Sequence, residues 1–281
     1  LDLPKYQNYS VRQFIDEFKY GEDMLWKYLI PMSSAVWSTP MELILDFPIV
    51  TLVRFFQNHG FLGLNTQHQW YTCVNGSESY KKILIAPFKD RILVNSPIAA
   101  VRRTIDGVEL ETGNRKLFHF DKVIIAAHGD QALKMLVQPT ADEQRLLSKF
   151  KYQENIAMVH TDESIMPKTK STWSSWNYRI EEKNGKSLPT TIYWMNSLQG
   201  VSDRKNYFVS INPVEGRVAK EKVIKTIVYE HPLFDVPAMK AQEDLPKLNE
   251  AGPIYFCGSY FRYGFHEDAY MSAVELCSKL L

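Results

Sequence analysis

Residues Ile254–Leu281, IYFCGSYFRYGFHEDAYMSAVELCSKLL, decide the fold. Ile254 to Cys257 is a short apolar run, the pattern of a strand covered on both faces. Gly258-Ser259 interrupts it, and an aromatic loop follows with Tyr260, Phe261, Tyr263, Phe265 and His266. Ala273, Leu276, Cys277, Leu280 and Leu281 then recur at helical spacing, which predicts a closing helix with one apolar face. A buried strand that ends at glycine and feeds a helix start is how α/β proteins hold a cofactor. The helix start offers N–H groups without carbonyl partners and the positive end of the peptide dipoles.

A second corner of this kind lies about 130 residues earlier, where Lys122–Ala127 runs apolar into His128-Gly129-Asp130 and a helix through Leu133 and Leu136. The two strands share one sheet if the region between them is an insert. Just before this corner, Ala99-Val101-Arg103 and Val108-Leu110-Thr112 alternate about Asp106-Gly107, a hairpin signal. Gly113-Asn114 turns the chain again into Leu117–His119.

Residues 1–64 read as helical. Ser10-x-x-Gln13 is a capping box. Asp23–Ile30 is expected to stop at Pro31, and Ile49–His59 at Gly60. Gln69–Val74 reads as a strand, Asn75-Gly76-Ser77 as a turn and Ser79–Ile85 as a helix. Thr140-x-x-Glu143 caps a helix reaching Phe150. Ile156–His160, Ser174–Ile180, Thr190–Met195 and Tyr207–Ile211 are the later strands. A helix over Arg217–Thr226 precedes a turn at His231-Pro232. The order predicts an α/β fold with an α+β insert. One domain comprises 1–72 and 151–248, mixed and rich in antiparallel strands; the other comprises 73–150 and 249–281.

The 281 residues are 45% hydrophobic and 23% charged, as in a globular protein, and the net charge of +1 gives no argument for nucleic acid. Cys73, Cys257 and Cys277 are odd in number and lack CxxC spacing. That argues against a disulfide framework or zinc site and for a reducing, cytoplasmic setting. No signal peptide is read, and a chain that opens at Leu1 reads as a processed or truncated piece. Asp46 and Arg54 interrupt the greasiest region, so no run spans a bilayer. Phe47, Leu52, Val53, Phe55, Phe56 and Phe61 there make either an ordinary helical core or a surface in peripheral contact with a membrane.

Several stretches together resemble one family: Pro31-Met-Ser-Ser-Ala-Val-Trp-Ser38, Asn58-His-Gly60, Gln69-Trp70 through Asn75-Gly-Ser77 to Tyr80, Val123-Ile-Ile-Ala-Ala-His128, His160-Thr-Asp162, Trp173-Ser-Ser-Trp-Asn-Tyr178, Tyr193-Trp-Met-Asn196, Tyr229-Glu-His-Pro232 and Gly264-Phe-His-Glu-Asp268. The chain is similar to the flavin-dependent amine oxidase superfamily. Within it, the likeness is to the predicted FAD-binding oxidoreductases associated with cyclopropane fatty-acyl-phospholipid synthase. The resemblance implies that 73–150 with 249–281 is a partial FAD-binding domain and 1–72 with 151–248 a substrate domain. It places Ile98 at the adenine end of FAD and Gly258-Ser259 by the pyrophosphate and ribityl chain. It sets the amides near Ala269 and Tyr270 against the flavin pyrimidine carbonyl. The family's G-x-G-x-x-G unit, which holds the pyrophosphate, has no counterpart here, and Leu1 corresponds to a point a third of the way into a member. The lysine usual near the flavin is missing from Asn155-Ile-Ala-Met158.

Trp176, Tyr178, Tyr193, Trp194 and Asn196 are the substrate-cavity candidates, with Trp173 beside them; aromatic strand residues equally serve as core. His266 and Glu267 are the catalytic acid/base candidates, or anchors of their loop. His160 and Asp162, alternate on a strand, read as a structural hydrogen bond sooner than catalysis. No nucleophile elbow and no metal-ligand spacing occurs. The expected function is FAD-dependent oxidation of a C–H bond in an apolar small-molecule or lipid substrate. The alternatives are a non-catalytic module that binds a hydrophobic ligand or a partner, and a chain whose FAD site is completed by a separate N-terminal segment.

Overall fold

A computed structural model of the chain describes residues 3–183 and 185–281. Its strands are β1 (Ile98–Thr104), β2 (Gly107–Thr112), β3 (Leu117–Phe120), β4 (Val123–Ile125), β5 (Lys151–His160), β6 (Trp176–Lys183), β7 (Lys186–Trp194), β8 (Phe208–Ile211), β9 (Val223–Leu233) and β10 (Ile254–Phe256). The chain divides into two units, Leu1–Asp90 with Gln153–His231 and Arg91–Tyr152 with Pro232–Leu281. From sequence, 73–90 is expected in the second unit and 232–248 in the first; they lie the other way round. Residues 232–248 belong with the second unit because Ala238, Ala241, Leu245 and Leu248 are buried in its core.

The second unit is built on a parallel pair. β10 lies beside β4, with Ile254 opposite Val123, Tyr255 opposite Ile124 and Phe256 opposite Ile125. The two strand-to-helix corners therefore share one sheet. β1, β2 and β3 form a separate antiparallel sheet. Its Asp106-Gly107 turn needs glycine, since a Cβ at Gly107 would stand 2.3 Å from the Phe120 carbonyl oxygen. Ile125, Leu136, Leu146, Phe150, Ile254, Phe256 and Tyr260 fill the core. The Thr140 box forms as expected: Glu143 N–H donates to Thr140 Oγ1 at 3.2 Å, and Thr140 N–H to Glu143 Oε2 at 2.7 Å. A helix at Val236–Asp244, absent from the sequence reading, starts where Asp235 Oδ1 accepts from Ala238 N–H at 2.8 Å. On the outer edge of β10, Asn249 closes the ladder. Its Oδ1 accepts from Phe256 N–H and its Nδ2 donates to Phe256 C=O, both at 2.8 Å.

The first unit holds a five-stranded sheet in the order β6-β7-β8-β5-β9, with β6-β7, β7-β8 and β5-β8 antiparallel. One face buries Ile192 and Phe208 against Ile165, Met166 and Val218. Ser10 caps Val11–Phe18 through the predicted box. Pro31 does not stop its helix. A π-type turn over Leu25–Leu29, where Ile30 N–H reaches Leu25 C=O, hands over to Ile30–Trp37, and Pro31 falls at the hand-over. The helix expected over Arg217–Thr226 is instead a short 3-10 turn, Lys220–Lys222, running into β9. The β-branched run Val223, Ile224, Thr226, Ile227 and Val228 decides this. His231-Pro232 lies inside β9, an edge strand, where proline's missing N–H is tolerated. Gln69–Val74 forms no strand, and no residue from 61 to 97 is buried.

Asn249 satisfies two backbone groups of the most buried strand at once. Asn249→Ala is expected to lower stability by about 1–3 kcal/mol, read from the urea midpoint at unchanged m-value. An unchanged midpoint would show that the edge is satisfied in some other way.

Candidate functional site

The corner after β10 is pinned by two side chains of the closing helix, His266–Leu280. Gly258 has φ +156°, and a Cβ there would come within 2.8 Å of the Tyr260 ring. Gly258 N–H donates to Ser272 Oγ at 2.9 Å, and that hydroxyl donates to Ala269 C=O at 2.7 Å. Asp268 Oδ2 accepts from Phe265 N–H at 3.0 Å and from Tyr263 N–H at 3.2 Å. Ser259 C=O accepts from the amides of Arg262 and Gly264, each at 3.1 Å. His266 and Glu267 are exposed at the first two helical positions.

This corrects one assignment. Ala269 N–H already donates to Phe265 C=O at 3.2 Å, and Tyr270 is exposed in the same turn. The amides that a helix start leaves without an i−4 carbonyl lie one step earlier, at Phe265 to Asp268, and Asp268 itself takes that of Phe265. With its carboxylate turned back on the loop, the helix start suits a neutral, electron-rich carbonyl oxygen. The acidic first turn, Glu267 with Asp268, argues against a phosphate there. The other corner is closed: Tyr152 Oη accepts from Gly129 N–H at 3.0 Å. Ile98, at the start of β1, lines an apolar cavity of about 620 Å³ with Val101, Leu110, Val123, Ile125 and Met135. The residues thus fit the carbonyl side of a flavin and an apolar ring. Among the described residues no glycine-rich strand-to-helix loop offers amides to a pyrophosphate.

In the first unit, strand parity sorts the substrate candidates. Trp176 pairs with Tyr193, and Tyr178 with Thr191, across β6 and β7, so these four share a face. Trp70, not singled out from sequence, joins them: its ring centroid is 6.1 Å from Trp176, which is 5.5 Å from Tyr193. Tyr178 Oη donates to Ser34 Oγ at 3.0 Å, and Ser34 donates to Thr39 C=O at 2.5 Å. Tyr178 lines a cavity of about 880 Å³ with Ser34, Met41, Leu45, Thr191 and Ile211. Burial raises the pKa of both Tyr178 and Tyr193, so both stay protonated donors. Trp194 does not belong to this set. As the neighbour of Tyr193 in a strand it points to the opposite face, packs on the Phe208 core and donates to Asn206 Oδ1 at 2.9 Å. Trp173 lies on that same side. Asn196 is a loop staple, bonded to Ser202 C=O, Lys205 C=O and Tyr207 N–H at 2.6–2.8 Å.

The second unit thus carries a parallel strand–glycine–helix element and the first a sheet with antiparallel pairs. The family described as flavin containing amine oxidoreductase matches residues 2–213 of the 281. The chain belongs to that family; the corner at Gly258 lies beyond the matched stretch. Its fold is similar to putrescine oxidase bound to putrescine, with TM-score 0.67, 12% identity, and coverage of 100% of this chain and 69% of that one. It is also similar to cyclohexylamine oxidase from Brevibacterium oxydans, with TM-score 0.63, 11% identity and coverage of 98% and 69%. A third similar structure is the CLA-producing fatty acid isomerase from P. acnes, with TM-score 0.62, 11% identity and coverage of 97% and 66%. Among curated proteins no sequence matches. No helix among the described residues is long and apolar enough to cross a membrane.

His160 and Asp162 are structural. His160 is fully buried, with Nε2 2.8 Å from Ser210 Oγ, and its Nδ1 accepts from Asp162 N–H at 3.1 Å. Nδ1 is therefore unprotonated and the ring neutral. Burial pushes its pKa down to about 4, against the opposing pull of Asp162. Burial also opposes the Asp162 charge, but Ala219 N–H, the Lys222 ammonium and Ser164 outweigh it and hold that carboxyl well below its usual range. Both groups bind protons more readily unfolded than folded. Their stabilisation is complete above pH 6.5 and is lost as pH falls, first through His160 between 6.5 and about 4, then through Asp162. The unfolding free energy from urea titration should decline across that upper window, by no more than about 1.4 kcal/mol per pH unit from one group. His160→Leu should flatten the slope there while leaving the steeper loss below pH 4.

Proposed function

We propose that this protein is an FAD-dependent oxidoreductase acting on a C–H bond of an apolar substrate, an amine or an acyl lipid. The observation that carries the reading is the Gly258 corner, pinned to its helix start by Ser272 and Asp268, in a chain of the flavin amine oxidoreductase family. Bound flavin would supply the hydride acceptor. The amides of His266 to Asp268 would face a flavin carbonyl, with Gly258-Ser259 beside its chain and Ile98 against the adenine. His266 and Glu267, at the mouth of the corner, would move protons to and from substrate. Within the first unit, Trp70, Trp176 and Tyr193 form an aromatic cluster suited to an apolar ligand. Among structures of similar fold are oxidases of putrescine and cyclohexylamine and an isomerase of fatty acid, which supports an amine or acyl substrate.

A second reading is a module that binds a hydrophobic ligand without catalysis, for which the 880 Å³ cavity, with Met41, Leu45 and Ile211 beside Arg12, Glu42 and Glu215, offers room. Thermal unfolding with added FAD separates the two, because a ligand bound only to the folded state raises Tm, by about 2.7 kcal/mol of stabilisation at a hundredfold excess over Kd. The oxidoreductase reading expects that rise, a flavin absorbance band on purification, and loss of both in Gly258→Val. No rise and no band, with a rise on adding a fatty acid, would leave the binding module.

A further inference from the structure

The 880 Å³ cavity lies wholly within the first unit, and its lining carries more charge than an apolar ligand needs. Trp26, Met41, Leu45, Leu188 and Ile211 give it apolar surface, while Arg12, Glu42, Lys183 and Glu215 bring charges of both signs. Among the described residues none of these charges has an ion-pair partner. Arg12 N–H donates to Leu45 C=O at 2.9 Å, which sets Arg12 at the end of the helix Met41–Ile44 that carries Glu42. Lys183 ends β6 at the β6–β7 hairpin, and Glu215 lies just beyond β8, the other neighbour of β7. The helical wall therefore offers one cation and one anion, and the sheet wall another of each.

The hydrogen bonds at Tyr178 have a fixed direction. Thr39 C=O can only accept, so the Ser34 hydroxyl commits its proton there, at 2.5 Å. Tyr178 Oη, 3.0 Å from Ser34 Oγ, then has to give its own proton to Ser34. Burial keeps the phenol protonated, and the charge of Glu42 acts in the same sense. Toward the cavity Tyr178 thus has only lone pairs left, and a ligand must meet it as a donor.

We propose that this cavity binds a zwitterionic amphiphile whose ammonium group donates to Tyr178 Oη beside Glu42, whose phosphate or carboxylate pairs with Arg12, and whose apolar body lies against Met41, Leu45 and Ile211. A purely anionic ligand would bring its charge against Glu42 and Glu215, and a purely cationic one against Arg12 and Lys183. A neutral ligand would desolvate charges and return nothing for them. A head with one charge of each sign satisfies both members of the helical wall through charge-assisted hydrogen bonds. The inference rests on the reading of this cavity as a ligand site. It holds whether the ligand is oxidised or only bound, and it does not involve flavin.

The test is calorimetric titration of the 281-residue chain with short-chain, soluble ligands. Hexylphosphoethanolamine and α-aminooctanoate carry the two forms of the head. Hexylamine, hexanoate and hexylphosphocholine are the comparisons, the last because its trimethylammonium has no N–H to donate. At least one of the two zwitterions with N–H donors should bind about tenfold tighter than every comparison ligand. The tighter of the two names the source, a phospholipid head or an amino acid. Arg12→Gln, at an exposed position, should remove most of that margin. Tyr178→Phe should weaken the same ligand while leaving hexylphosphocholine unchanged, a selectivity that a merely structural hydroxyl would not show. Glu42→Gln, also at an exposed position, should weaken the ammonium ligands and serves if the phenylalanine variant does not fold. No binding by any ligand, equal affinities across the set, or wild-type affinity in both Arg12→Gln and Glu42→Gln overturns the proposal. Preference for hexanoate over both zwitterions also overturns it and assigns the cavity to a simple acyl chain. FAD binding without zwitterion binding rejects this inference alone, and zwitterion binding without FAD binding rejects only the oxidoreductase reading.

Discussion

Three residue pairs, Val123 with Ile254, Ile124 with Tyr255 and Ile125 with Phe256, hold the second unit together. Bringing together two strands about 130 residues apart is entropically unfavourable, and the penalty grows only slowly with loop length. A long excursion between them is therefore tolerable, and the first unit's sheet occupies it. Once β10 lies beside β4, the chain has to turn at Gly258, where a side chain would meet the Tyr260 ring. Ser272 and Asp268 then fix that turn to the closing helix from within. The geometry of the corner thus follows from a sheet contact made elsewhere in the sequence.

Legibility in the sequence followed how local each determinant is. Capping boxes at Ser10 and Thr140 involve residues three apart and were readable, as was the Asp106-Gly107 hairpin. The parallel pair was readable because two apolar runs each ended in a glycine and a helix pattern. Pro31 misled, because a π-type turn absorbs its missing N–H, a solution invisible to local propensity. Over Arg217–Thr226 the helical spacing of polar residues concealed a β-branched run that pairs at a sheet edge. Gln69–Val74 has strand composition but no partner to pair with. At the corner, the break at Gly258-Ser259 was legible, whereas the turn's hydrogen bonds to Ser272 and Asp268 were not, since those partners lie across a loop. Ser272 falls on the apolar stripe of the closing helix with Leu276, and a polar residue there was the available signal.

Parity explains why the substrate candidates divided. Tyr193 and Trp194 are both aromatic and adjacent, and composition cannot separate them. A strand must send them to opposite faces, so one meets Trp176 and the other the Phe208 core. Fixing the register of one pair, Trp176 with Tyr193, assigns every other residue of β6 and β7.

The interleaved connectivity also sets an order of assembly during synthesis. The chain leaves the second unit after Tyr152 and returns to it at Pro232. β4 is made some 130 residues before β10, so at ribosomal rates of about 5–20 residues per second it waits on the order of ten seconds for its partner. The first unit's sheet can close once β9 has emerged; the second cannot begin its parallel ladder until then. Val123–Ile125 is thus the apolar run that waits longest for its partner strand in the newborn chain.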